Sequence, residues 1–270
     1  MRDPRPPDAL SAAAQYEENL VPALMQEWAP RLVTASRMQR GHHVLDVACG
    51  SGVLTREAAA HVSPGGSATG LDIDAGMLSV ARGLAPDVHW QQGSAEALPF
   101  ADASFDAVVS QFGLMFVPDP SRAIAEMWRV LKPGGRMAVA VWASLELTPA
   151  YEEETRLVER LAGPAAGAPL RLPFCLGDRD VFDAHFRVAG VPLESLTTVV
   201  GTGRFPSVRA MVAADVVGWL PLMGVQLPAE IVEAILLEAE DVLAPYRRPD
   251  GSVRFDSPAH IAVAVRPPVA

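Results

Sequence analysis

The chain has 270 residues and a formal net charge of −10, long enough for one elaborated domain, or a domain with a small cap, to bury a full core. Its acidic pI, near 5.1, and the lack of any basic stripe exclude a phosphate backbone as partner, because nucleic acid is held by clustered Lys and Arg. Two cysteines, Cys49 and Cys175, build neither a zinc site nor a disulfide framework, and no run of about 18 apolar residues exists, so the expectation is a cytoplasmic protein with no metal and no membrane partner.

Residues 1–10 read as disordered, with Pro4, Pro6, Pro7 and several charges, and Ala12 to Arg40 read as helical, interrupted near Pro22 and Pro30. Tyr16, Leu20, Leu24, Trp28 and Leu32 recur every four residues, one apolar helix face that needs a partner. Then comes the stretch from His43 to Thr55. Val44, Leu45 and Val47 form the short apolar run of a strand covered on both faces, Gly50 and Gly52 mark a turn, and Val53 to Val62 supplies a helix. Glycines let the backbone take conformations a Cβ forbids and let a ligand lie against the main chain. The helix N-terminus offers unpaired N–H groups to an anionic group.

A dinucleotide turn brings three glycines as Gly-x-Gly-x-x-Gly; here Thr55 stands where the third would be, and Asp46 precedes the first. The arrangement Asp46-x-Ala48-x-Gly50-x-Gly52 resembles the first motif of the class I S-adenosylmethionine (AdoMet)-dependent methyltransferases. Their ligand carries an α-ammonium and no pyrophosphate, so a carboxylate beside the turn makes electrostatic sense. Such enzymes cover the cofactor with N-terminal helices, which makes Tyr16 a lid candidate, and Leu54 is placed against the ligand at the start of the helix.

Ser67 to Ile73 reads as a second strand. It reaches Asp72, 20 residues beyond Gly52, the separation at which a carboxylate meets a ribose diol in Rossmann-like folds. Asp74 is a helix cap, and Met77 opens the helix where its thioether can lie on an adenine face, beside Ile73. A third strand, Asp87 to Gln91, leads into Gly93-Ser94-Ala95-Glu96-Ala97-Leu98-Pro99-Phe100. This is similar to the family's segment for the adenine ring, with Ser94 in place of its acid, so that selectivity rests on the backbone of Ala95 and on Glu96. Phe105 to Ser110 is a fourth strand, followed by Gln111, a cofactor contact by position, and then Phe112, Gly113, Leu114, Met115 and Phe116. No Asn-Pro-Pro-Tyr or Asp-Pro-Pro-Tyr sequence follows, the arrangement amino-directed DNA methyltransferases use.

Asp119-Pro120 caps the next helix, which ends at Lys132-Pro133-Gly134-Gly135 before a fifth strand, Arg136 to Trp142. The run from Val130 to Ala140 is a recognisable feature of small-molecule class I methyltransferases. Over residues 12–142 the chain looks most like the ubiquinone/menaquinone C-methyltransferase-like group.

Beyond Trp142 the pattern loosens. Pro149 to Leu161 reads as an acidic amphipathic helix, Gly163 to Leu170 as a loop, Asp178 to Val188 as a helix, Leu193 to Thr202 as the sixth strand and Ile261 to Arg266 as the seventh. Between the last two, Ser207 to Trp219 and Pro228 to Leu243 read as helices. His185 and His260 are the histidines considered as an acceptor base.

The resemblance implies an α/β, Rossmann-like class I methyltransferase fold: a seven-stranded, mostly parallel sheet with the last strand antiparallel, helices on both faces and a helical cap. The expected divisions are an N-terminal helical lid at 1–40, an AdoMet-binding domain at 41–205 and 260–270, and a cap at 206–259. AdoMet is the expected cofactor and S-adenosylhomocysteine its product. The expected acceptor is a small apolar or aromatic molecule between Phe112, Met115 and Phe116 below and Met211, Trp219 and Met223 above; oxygen, nitrogen and carbon stay open as the accepting atom. The cap's competing reading is a purely structural embellishment or a homodimer contact. Rival functions are an NAD(P)-dependent oxidoreductase and a non-catalytic AdoMet-binding protein.

Overall fold

The computed structural model describes residues 9–268. Most of the stretch expected to be disordered, residues 1–8, lies outside the described residues, and Ala9 already belongs to a helix, α1 (Ala9–Gln15). The next ten residues, Tyr16–Met25, continue as a π-helix that carries Pro22 inside it. Pro22 therefore does not break the helix as expected; the wider winding accommodates the missing N–H. Pro30 sits in the first turn of α2 (Ala29–Ser36), where a proline costs no hydrogen bond.

Seven strands form one sheet: β1 (His43–Val47), β2 (Ser67–Asp72), β3 (His89–Gln92), β4 (Phe105–Gln111), β5 (Leu131–Trp142), β6 (Leu193–Phe205) and β7 (Val253–Val265), in the order β3-β2-β1-β4-β5-β7-β6. β1 to β5 pair in parallel, and β7 runs antiparallel between β5 and β6. The central strands are mostly apolar because both faces are covered: Val44, Leu45, Ala107, Val108, Val109 and Met137 through Val141 are all buried. Helices α3 (Val53–Val62), α4 (Ala75–Leu84), α5 (Pro120–Val130) and α8 (Arg179–Val188) flank this sheet. α2 packs on α3, and α5 on α8. The two expected caps hold: Asp74 accepts from the Met77 N–H at 2.7 Å and Asp119 from the Arg122 N–H at 3.0 Å; Asp178, read as the first residue of a helix, caps it by accepting from Asp180 and Val181.

Three boundaries differ from expectation for physical reasons. Lys132 to Gly135 belongs to β5, as an irregularity between the Phe105↔Leu131 and Ala107↔Arg136 pairs, because Gly134 and Gly135 exchange backbone hydrogen bonds with Arg266. Gly163 to Leu170, expected as a loop, falls almost wholly in α7 (Pro164–Arg171), which follows α6 (Pro149–Ala162); Pro164 occupies the first turn and Gly163, at φ +88°, separates the two helices. Strand β7 starts eight residues before Ile261, at Val253, because β6 continues to Phe205 and the two pair along their full length.

The helices between β6 and β7 are α9 (Val208–Ala213), a π-helix Ala214–Trp219, the short α10 (Leu220–Leu222) and α11 (Ala229–Val242). They do not stand alone: α11 packs on α6, and α10 on α7. Among the described residues no helix is long and apolar enough to cross a membrane.

Candidate active site

The sheet order reverses between β1 and β4, and that is where an open α/β sheet leaves a crevice at its carboxyl edge. A cleft of ≈ 350 Å³ occupies it. At its floor the chain leaves β1 through Ala48 (φ +56°), Gly50 (φ +55°) and Gly52 (φ +87°). A Cβ on Gly50 would meet nothing within 4 Å, so this glycine faces open space that a ligand can fill. Gly52 plays a different part from the one expected: it does not line the cleft, and a Cβ there would fall 2.3 Å from the Trp90 ring. Its lack of a side chain makes room for that indole.

Two aspartates flank the turn. Asp72, at the end of β2, accepts from the Gly50 N–H at 2.7 Å through one carboxylate oxygen and from the Asp74 N–H at 2.9 Å through the other. It thereby ties the glycine turn to the second strand while each oxygen keeps a lone pair for a ligand hydroxyl. Burial pushes its carboxyl above the usual range, against these bonds. Asp46 is almost fully buried; its Oδ2 accepts from the Thr55 hydroxyl at 2.6 Å, and its Oδ1 has no partner among the described residues. Burial, opposed by the Thr55 bond and helped by the charge on Asp72, pushes Asp46 up to about 7. Thr55 thus explains the missing third glycine: its side chain is what holds Asp46.

Tyr16, Ala48, Leu54, Ile73, Met77, Gly93, Ser94, Ala95 and Gln111 all line the same cleft, so twelve of the thirteen residues expected to hold a cofactor converge there, Gly52 excepted. Ile73 is 70% exposed, an apolar side chain left free at the rim. The Gln111 amide donates to the Met25 carbonyl at 2.9 Å, and its Oε1 is buried without a partner. Ser94 Oγ accepts from the Glu96 N–H. Glu96 lines the cleft, but its Oε1 accepts from the Asp119 N–H, so that carboxylate also caps the approach to α5.

A second, smaller cavity opens beside the cleft. Tyr16, Met25, Phe112, Phe116 and Trp219 line both. Phe112, at φ +55°, stacks on Trp142 with centroids 3.6 Å apart, and Trp28 meets both rings edge-on. A non-glycine residue at positive φ is strain that packing must hold, and here it aims an aromatic ring into the cavity. Phe116 and Trp219 face each other at 5.4 Å across the shared wall. Of the six residues expected to contact an acceptor, Phe112, Phe116, Trp219 and Met223 line one or both cavities. Met115 and Met211 do not; both are buried in the core, Met115 beside Leu114 and Met211 on the inward face of α9 with Val208 and Val212.

Neither histidine serves. His185 Nδ1 bonds the Ser121 hydroxyl on α5, and His260 spends one ring nitrogen on Thr198 and the other on the Gly177 carbonyl. The ionisable groups lining the smaller cavity are instead Tyr16, Tyr151 and Asp215, with Ser257 beside them and Glu154 buried next to Asp215. A sequence signal for this existed. Glu154 sits three residues after Tyr151 and four before Val158, on the apolar stripe of α6, and Asp215 interrupts an apolar run from Val212 to Val217. Both cysteines are free thiols, and burial raises Cys49 further, so it is no nucleophile.

Comparison with known proteins agrees with this geometry. Residues 45–139 match the family described as a methyltransferase domain. The chain is 40% identical over 134 residues to the ubiquinone/menaquinone biosynthesis C-methyltransferase UbiE of Pseudoalteromonas translucida, covering 46% of this chain and 53% of that one. It is 44% identical over 115 residues to the demethylmenaquinone methyltransferase of Renibacterium salmoninarum, covering 43% and 47%. The alignments thus span about half the length of these relatives. Among solved structures, the YcgJ protein of Bacillus subtilis superimposes with a TM-score of 0.61 at 20% identity, over 90% of this chain and 99% of that one. Residues 45–139 thus carry a match to a methyltransferase domain, in a chain whose fold is that of the class I methyltransferases.

Proposed function

We propose that the chain is an AdoMet-dependent methyltransferase acting on a small aromatic or apolar acceptor. The observation that carries this reading is the junction of two cavities: an acidic cleft at the glycine turn, and an aromatic chamber that shares five walls with it. The cleft fits AdoMet. The unpartnered Asp46 Oδ1 suits an α-ammonium, the free lone pairs of Asp72 suit a ribose diol, and Met77, Ile73 and the backbone at Ala95 surround the place of an adenine ring. The same acids oppose a pyrophosphate, and Thr55 fills the third-glycine position, which disfavours a nicotinamide dinucleotide.

When bound, AdoMet supplies an electrophilic methyl group on a sulfonium. The chain's residues then have three tasks: to align the acceptor, to exclude water and to dispose of a proton. Phe112, Phe116 and Trp219 make the passage between cleft and chamber, so an acceptor held there faces the cofactor site. Tyr16 lines both spaces and closes them from the N-terminal side, the lid role, with its phenol kept neutral by burial. We place residues 206–259 as a cap, completed by α6 and α7. The relatives' names refer to quinone rings, which fit an aromatic chamber, yet the family match ends at residue 139 and most of the chamber lies beyond it. The free thiols and acidic charge suit a cytoplasmic enzyme.

Isothermal titration tests the reading. Micromolar binding of AdoMet and of S-adenosylhomocysteine, with none of NAD, is expected; binding of NAD alone would sink it.

A further inference from the structure

The chamber contains a group of acids whose presence the cofactor site does not require. Asp215 is only 4% exposed and Glu154 fully buried. Asp215 lines the chamber, and its Oδ2 has no hydrogen-bond partner among the described residues; neither does either carboxylate oxygen of Glu154. Tyr151 and Glu154 face Asp215 from α6, while Ser257 faces it from β7 and Tyr16 from the N-terminal π-helix; the described residues lining the chamber include no Lys, Arg or His. Asp215 itself stands in the π-helix 214–219, and such widened turns recur where a side chain is re-aimed at a functional site. Leaving buried carboxylate oxygens unpaired costs more than a structural role would return.

We propose that Asp215 is the proton acceptor of the reaction and that the chamber takes a neutral, hydroxyl-bearing aromatic acceptor, a phenol or hydroquinone. This rests on the methyltransferase reading above. The acceptor's O–H bond breaks and its proton passes to the Asp215 carboxylate. The electron pair left on oxygen, or delocalised onto a ring carbon, forms the bond to the methyl carbon. The methyl–sulfur bond breaks, and its pair leaves on the sulfur as a neutral thioether.

Glu154 acts as a positioning residue: burial, with the neighbouring charge of Asp215, holds its carboxyl well above the usual range, so it stays protonated beside Asp215. Burial likewise pushes Asp215 up to about 7, opposed by the neighbouring Tyr151 hydroxyl and Glu154 carboxyl, and a base is most effective when its pKa lies near the working pH. Two close carboxylates in a low-dielectric chamber share a proton rather than both ionise. An ammonium acceptor fits this arrangement less well, since it would set a second cation beside the sulfonium where water does not screen the repulsion.

The test uses the whole chain with S-adenosylhomocysteine present and 2-naphthol as a fluorescent phenol probe. Wild type is expected to bind 2-naphthol more tightly than 1-naphthylmethylamine, and Asp215→Asn to weaken 2-naphthol at least tenfold while AdoMet binding stays unchanged. Preferred binding of the amine, or equal binding of 2-naphthol by Asp215→Asn, overturns the proposal. A second readout avoids the acceptor altogether. The fluorescence of wild type, whose Trp142 and Trp219 line the chamber, should titrate near pH 7; Glu154→Gln, neutral like the protonated acid it replaces, should keep that midpoint and Asp215→Asn should abolish it. Persistence of the midpoint in Asp215→Asn overturns the assignment of the base. Failure of AdoMet itself to bind would strike the cofactor reading and not this one.

Discussion

The cleft and the chamber both present buried acids, yet they hold them by opposite means. In the cleft, Asp46 and Asp72 are anchored by two strands, a glycine turn and one helix that follow each other within about 30 residues, through bonds to Gly50, Asp74 and Thr55. In the chamber, Asp215 and Glu154 come from elements about 60 residues apart and have almost no backbone donors. The first arrangement fixes the direction of each carboxylate beside the turn, so that a bound cation meets oriented acceptors although burial alone raises both acids. The second leaves a group free to gain and lose a proton. An acid's surroundings, more than its identity, decide whether it binds charge or moves it.

The largest expected effect lies on the cleft side. Gly50→Val puts a branched side chain at φ +55° and into the open space beside the turn, so AdoMet affinity should drop more than about 100-fold by calorimetry. The sheet should persist by circular dichroism, because that Cβ meets no protein atom. Near wild-type binding would make the turn purely structural.

On the chamber side the contrast appears as stability against pH. Asp215 has a folded pKa raised above its unfolded value, so its contribution to stability is complete below about pH 4 and is lost as pH rises through about 7. Asp215→Asn, which cannot ionise, should therefore be more stable than wild type at pH 8 by about 2–4 kcal/mol. The gain should vanish near pH 4. Equal denaturation midpoints at both pH values would show that this acid is solvated.

A smaller effect sharpens the cleft. Asp72→Ala should weaken AdoMet by about 1–3 kcal/mol, because the ribose hydroxyls lose a charged acceptor and the Gly50 N–H loses its partner. An unchanged dissociation constant in the folded variant would remove Asp72 from the site.

How much of each region was legible follows from the same contrast. The cleft's parts are local: a strand read from its apolar run, glycines that only positive φ explains, and an acid at the sheet edge all sit at short, interpretable spacings. The motif could not show that Gly52 serves Trp90, because that contact joins β3 to the turn in space. The chamber depends on β6 and β7 bringing α6 and the 214–219 helix together. A run of three glutamates at 152–154 reads as a solvated face, and only the helix phase singles out Glu154. Met115 and Met211 were misplaced because an apolar residue near a site has the same signature as one in the core. His260 read as chemically available until both its nitrogens were found bonded.

The most direct measurement is a crystal structure with S-adenosylhomocysteine bound. The ligand should lie along the Asp46–Leu54 turn with its ribose on Asp72 and its amino group at Asp46 Oδ1. Its sulfur should point between Phe112 and Trp219 into the chamber where Asp215 waits. A ligand elsewhere, or a sulfur turned away from that passage, would contradict the account.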